Sequence, residues 1–141
     1  MLESLYQKTV PLIKPERLKE KLTHSKQVVL LDIRSKEEYD VSHIEGAHLI
    51  SYEGFKAKDV AKIDQAAEVI VYCSVGYRSE RIGERLLEMG FENVYNLYGG
   101  IFQWKNEDNE VVNAENTKTD SVHTYNKNWS KWLEKGIKVY E

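Results

Sequence analysis

The chain holds a single cysteine, Cys73, in 141 residues. That excludes an internal disulfide and the stapled architecture of small secreted domains. It contains no apolar run near the ~20 residues that a membrane span needs, so no membrane association is expected. An excess of positive charge is also missing. Twenty Lys and Arg stand against 23 Asp and Glu, a net charge of −3, which removes any general attraction for nucleic acid or anionic lipid. The N-terminus, MLESLYQKTVPLIK, lacks the basic start and apolar core of a secretory signal, and the reducing cytoplasm is the expected compartment. Internal repeats and low-complexity tracts are absent. What remains is 41% hydrophobic and 30% charged, the balance of a soluble globular protein with one real core.

The stretch on which the chain is organised is EVIVYCSVGYRSERIGERLLEM, Glu68 to Met89. A tight apolar run, Val69 to Tyr72, delivers the cysteine to a short loop, and the residues after the loop have helical spacing, with Ile82, Leu86 and Met89 on one face. Helix N-termini offer unpaired amide donors and a partial positive charge, so an anion there is stabilised. A thiolate is such an anion. The expectation is a nucleophilic Cys73 held ionised by the amides of Ser74, Val75, Gly76, Tyr77 and Arg78, with Arg78 adding charge. Gly76 lets the backbone curl without a Cβ.

The rest of the chain alternates. Leu2 to Ser25 reads as helical, with Leu2, Leu5 and Val10 on one face and Pro15 suited to the first turn of a new helix. Val28 to Leu31 reads as a strand covered on both faces. Ser35 and Glu38 form a capping box for a short helix ending near Ser42. A turn over His43 to Ala47 leads to a short strand reaching Ile50. Tyr52 to Lys62 reads as helical, with Tyr52, Phe55 and Val60 inward. Gly83 would allow the central helix to approach the sheet closely. Asn93 to Leu97 is a further strand, Gly99-Gly100 breaks it, and a short helix follows. Lys105 to Asp120 reads as a surface excursion. Beyond it the chain regains aromatics, His123 and Tyr125 among them, and Trp129, Trp132 and Leu133, at spacing three and four, suggest an amphipathic helix that packs on the domain. Strands alternating with helices predict an α/β fold with a mostly parallel sheet. Ligands of such sheets bind outside the carboxyl ends of the strands, where both Asp32 and Cys73 fall.

Three blocks resemble the rhodanese-like domain family in its small single-domain form. The first is Leu31-Asp32-Ile33-Arg34 with Glu38-Tyr39 and His43-Ile44-Glu45-Gly46-Ala47; Ser42 and Glu45 stand where that family usually has Gly and Pro. The second is the loop Tyr72 to Ser79. The third is Val94 to Ile101 with Trp104. Together they cover about residues 15–105. The resemblance implies one domain over 1–105, a parallel sheet of about five strands with helices on both faces, and a C-terminal helical extension over 106–141 outside the family pattern.

It also implies a sulfurtransferase. In that family the cysteine takes the outer sulfur of a donor such as thiosulfate, becomes a persulfide, and passes the sulfur to a thiophilic acceptor, cyanide or a thiol; a protein acceptor stays open beside these. No cofactor is implied. His24, His48 and His123 have no ligand spacing with Cys73, so no metal is expected. Asp32, Arg34 and Glu38 read as an ion-pair and capping network supporting the loop from beneath. Ser74 occupies a position where many thiosulfate-using relatives carry a basic residue, which makes the mouth less cationic. Two other classes remain: a persulfide carrier or regulatory docking module, and a cysteine phosphatase or arsenate reductase. The phosphatases have five residues between Cys and Arg, whereas Cys73 and Arg78 are separated by four, and no second cysteine is present to resolve a disulfide.

Overall fold

The computed structural model describes residues 9–24, 27–124, 133 and 135–139. Its sheet is built from β1 (Leu12–Ile13), β2 (Val28–Asp32), β3 (His48–Leu49), β4 (Glu68–Tyr72) and β5 (Asn93–Leu97), all parallel, in the order β1-β5-β4-β2-β3. Among the described residues three helices lie between these strands, α1 (Pro15–His24), α2 (Lys36–Val41) and α3 (Tyr77–Glu88), and α4 (Gly100–Asn106) follows β5. The unbroken apolar runs in β2 and β4 follow from burial on both faces. Leu30 and Ile70 point to one side and pack with Leu18 of α1 and with Ile101 and Phe102 of α4. Leu31, Val69 and Val71 point to the other and meet Ile82 and Leu86 of α3. Each such side chain contributes about 1.5–3 kcal/mol when fully buried.

Topology places the site. From β2 the chain runs outward to β3; from β4 it runs the opposite way to β5. The neighbours β2 and β4 therefore flank a switch point, where open parallel sheets bind ligands. Their register pairs Asp32 with Tyr72, so the ends of both strands, and the Cys73 that follows, lie at one edge.

Three expectations need correction. Among the described residues the first helix begins at Pro15, and Leu12–Ile13 is instead an edge strand, tied by Asn96 N–H to the Pro11 carbonyl and Tyr98 N–H to the Ile13 carbonyl, both at 2.8 Å. Pro11 has no N–H to lose at that edge. Leu2 and Leu5 lie outside the described residues. Gly83 faces Val10, just before that strand, rather than the sheet itself. Tyr52 to Lys62 forms only a single 3₁₀ turn, Ala57–Val60. Phe55 and Val60 are nonetheless buried, and Tyr52 is half-buried.

The segment after α4 is no free excursion. Strands β6 (Val111–Val112) and β7 (Lys118–Thr119) pair antiparallel, and Val112 exchanges backbone hydrogen bonds with His43 at 2.8 and 2.9 Å. Strand β8 (Ser121–His123) pairs in parallel with β9 (Ile137–Val139). Of the aromatic helix expected from Trp129, Trp132 and Leu133, the two tryptophans lie outside the described residues. Leu133 is buried in the same cluster as Leu18 and Ile101.

Candidate active site

Strand β4 ends at Tyr72, and four residues later Gly76 caps α3 with φ +112°, a conformation that favours glycine. This sharp reversal turns the Gly76 N–H back onto Cys73 Sγ at 3.1 Å. Ser79, in the first turn of α3, places its hydroxyl 3.4 Å from the same sulfur and 2.6 Å from Asn96 Oδ1. The Asn96 amide donates in turn to the Gly76 carbonyl at 3.0 Å. Strand β5 thus braces the loop through one fully buried side chain.

The loop's carbonyls are held from the other side. Ile101 N–H, at the start of α4, donates to the Cys73 carbonyl at 2.9 Å, and Phe102 N–H to the Ser74 carbonyl at 3.2 Å. These first-turn amides have no partner within their own helix. Such close packing requires Gly100, because a Cβ there would stand 2.3 Å from the Cys73 carbonyl oxygen. One loop therefore lies between two helix starts: α3 receives the sulfur, and α4 pins the carbonyls.

Glu38 joins α2 to the loop. The capping box expected from Ser35 and Glu38 is formed, but the carboxylate reaches further. Its Oε1 accepts from Ser35 N–H, Ser35 Oγ and Arg78 Nη1, and its Oε2 accepts from Arg78 Nη2 at 2.9 Å and Ser74 Oγ at 3.1 Å. Burial pushes this carboxyl up. The paired Arg78, with Arg34 and Ser35, more than reverses that and brings it down to about 2 from an ordinary 4.5. A depressed carboxyl stabilises the fold above its unfolded value, and that stability is lost as pH falls towards the folded value. The urea midpoint of the wild type should therefore fall more steeply than that of Glu38→Gln between about pH 4.5 and 2. Parallel slopes would contradict it.

Asp32 and Arg34 lie one layer deeper, both fully buried. Arg34 Nε and Nη2 donate to the two Asp32 oxygens at 2.9 and 2.7 Å, and Nη2 also donates to the Ser42 carbonyl at 2.6 Å. Tyr72 OH donates to Asp32 Oδ2 at 2.7 Å and accepts from Ile44 N–H at 3.0 Å. Burial, with Asp32 next, holds the Tyr72 hydroxyl well above its usual range. Asp32 thus does not line the mouth.

Of the loop side chains, Val75 points into the apolar core, while Tyr77 is exposed and lies under the Arg81 guanidinium at 5.6 Å. Arg81 itself pairs with Glu80 and Glu84. Cys73 itself is only 1% exposed. Beside the loop is a recess of about 310 Å³ lined in part by Arg34, Glu38, Tyr52, Arg78 and His123. His123 comes from β8, outside the family-like blocks. Among the described residues, no cluster of His, Cys, Asp or Glu is arranged to hold a metal ion, and no helix is long and apolar enough to cross a membrane.

Ser79, Asn96 and Gly100 had no individual signal in the sequence. A lone Ser and a lone Asn form no local pattern, and Gly99-Gly100 reads most simply as a turn. The usable hint was that Ser79 falls in the second family-like block and Asn96 and Gly100 in the third.

A parallel α/β domain that presents a cysteine on a helix-opening loop at its switch point defines a class of cysteine-loop proteins. The chain belongs to the rhodanese-like domain family, whose model matches residues 14–107. It is 33% identical over 84 residues to the thiosulfate sulfurtransferase GlpE of Coxiella burnetii, a match covering 60% of this chain and 78% of that protein. Over 93 residues it is 32% identical to the probable adenylyltransferase/sulfurtransferase MoeZ of Mycobacterium tuberculosis, covering 65% of this chain but 24% of that much longer protein. Among solved structures, a rhodanese-like domain protein from Staphylococcus aureus superposes with a TM-score of 0.61 at 29% identity, covering 67% of this chain and 90% of that one. At the level of the family, these relatives support sulfur transfer.

Proposed function

We propose that this protein is a sulfurtransferase that carries sulfane sulfur as a persulfide on Cys73. The observation that supports it most is the Gly76 N–H directed at Cys73 Sγ where α3 opens. In the first half-reaction the thiolate attacks the outer sulfur of a donor. With thiosulfate, the Sγ–S bond forms, the donor S–S bond breaks, and its electron pair leaves on sulfite. In the second, cyanide or a thiolate attacks the terminal sulfur and the pair returns to Sγ. Two steps through a covalent intermediate are nucleophilic catalysis with ping-pong kinetics. No net oxidation occurs and no cofactor is needed.

Cys73 is the catalytic residue in this reading. Donors preorganised on a developing anion are worth a few kcal/mol each, which is the role of the loop amides from Ser74 to Arg78. Glu38, Asp32 and Arg34 are positioning residues.

The test is intact-mass measurement after incubation with a sulfane sulfur donor. The wild type should gain about 32 Da, one sulfur atom, reversed by cyanide. Cys73→Ala should gain nothing and lose turnover completely, with an unchanged circular dichroism spectrum. Turnover persisting in Cys73→Ala would refute the reading, as would hydrolysis of a phosphate ester by the wild type without sulfur loading.

A further inference from the structure

We infer that Glu38 is a specificity-determining residue: by neutralising Arg78 it selects persulfides of uncharged or zwitterionic thiols, R–S–SH, over free inorganic dianions such as thiosulfate. The inference rests on the proposed sulfurtransferase function and concerns which donor loads Cys73.

An arginine beside a reactive cysteine would ordinarily attract an anionic donor, because its planar fork matches two oxygens at once. Here that fork is already occupied. Arg78 Nη1 and Nη2 donate to the two oxygens of Glu38 at 3.0 and 2.9 Å. Nη2 also reaches Ser74 Oγ at 3.2 Å, and that hydroxyl donates on to Glu38. The carboxylate side of the pair is 2% exposed and the guanidinium side 23%. A dianion competing for Arg78 would have to break a bidentate, largely desolvated pair and leave Glu38 buried without its counter-charge, which is strongly unfavourable.

The recess beside the loop reinforces this. Its two guanidiniums belong to Arg34, which is matched by Asp32, and Arg78, which is matched by Glu38. Glu37 and Glu53 add two more carboxylates to the lining. The surface next to the loop therefore carries more negative than positive charge, and repels an approaching dianion by the same rule that draws opposite charges together. A persulfide avoids both penalties. The Cys73 thiolate attacks its outer sulfur, the S–S bond breaks, and the electron pair leaves on the inner sulfur as R–S⁻. That thiolate takes up the proton released when Cys73–S–SH ionises, so R–S–SH and Cys73–S⁻ become R–SH and Cys73–S–S⁻.

The experiment compares loading of Cys73 by thiosulfate and by cysteine persulfide at equal concentration, read as the rate of the one-sulfur mass gain, in wild type and Glu38→Gln. Glutamine keeps the capping box, which accepts Glu or Gln at that position, but removes the charge. In the wild type, cysteine persulfide should load at least about tenfold faster than thiosulfate, and thiosulfate loading should stay level or rise with ionic strength, as screening relieves repulsion. In Glu38→Gln the thiosulfate rate should rise and the ratio contract by about tenfold. Equal loading by the two donors, a thiosulfate rate that falls with salt, or an unchanged ratio in folded Glu38→Gln each overturns the inference. Should that variant not fold, the wild-type ratio and salt dependence decide. If neither donor loads Cys73, the sulfurtransferase function itself fails; if both load equally, only the selectivity does.

Discussion

Gly100→Ala is expected to abolish sulfur loading in a protein that still folds. The effect has two parts. Gly100 has φ +58°, and a Cβ there would meet the Cys73 carbonyl at 2.3 Å and the Ser74 carbonyl at 2.5 Å. Both obstacles are backbone, so no side chain can swing aside. Either α4 withdraws and its first amides lose the two carbonyls, or the loop shifts and Gly76 N–H no longer meets the sulfur. A displacement of about 1 Å in a catalytic array costs on the order of 100-fold in rate. Gly46→Ala is the control. Gly46 has φ +88° with nothing within 4 Å of the added carbon, so it carries the left-handed strain, roughly 1–2 kcal/mol, without the collision. Loading rates within a few-fold of wild type in Gly100→Ala would show that the close packing of α4 on the loop does not matter.

The second large effect lies deeper. Asp32→Ala should destabilise the fold by about 3–5 kcal/mol, because it leaves the Arg34 guanidinium buried without its counter-charge. Arg34 is fully buried. Burial alone would pull its pKa down, and Asp32 more than reverses this. Removing Asp32 also strips the acceptor from Tyr72 OH, which holds the Ile44 amide in the following turn. Against a typical total of about 5–15 kcal/mol, the loss is a large share, and a fall in melting temperature of about 10–20 °C is expected for a chain of this length. The double replacement Asp32→Leu with Arg34→Met should recover part of it. Arg34 Nη1 is buried without a hydrogen-bond partner, so the charged pair is not fully compensated even in the native state. A calorimetric shift of only a degree or two in Asp32→Ala would contradict this account.

Much of this arrangement was legible in the sequence, and the reasons are local. Ser35 and Glu38 stand at capping-box spacing. The double-sided apolar runs of β2 and β4 can lie only in a covered sheet. Cys73, Gly76 and Arg78 sit between a strand and a helix. Each of these signals spans a few residues.

What escaped depends on partners far apart in sequence. Leu12–Ile13 is a strand because Asn96 and Tyr98 donate to its neighbourhood, some 80 residues on. Tyr52 to Lys62 has apolar spacing, but Gly54 at φ +73° interrupts it, and Asp59 folds back to cap Lys56 in a tight turn. The reach of Glu38 beyond its own helix to Arg78 and Ser74 could not be read from a capping pattern that is complete without it. Asn96 and Ser79 become visible as a brace only when β5 is laid beside β4.

The partnership of β8 with β9, and the place of Leu133 beside Leu18 and Ile101, has a consequence for modularity. The family segment ends at 107, yet Val111, Val122 and Leu133 complete the same apolar cluster as Ile13, Ile44 and Phe102. A graft into another polypeptide that stopped at the family limit would carry the Cys73 loop but leave one wall of its interior open to water. The transplantable piece is the longer one, with the β8–β9 ribbon as its closing clasp.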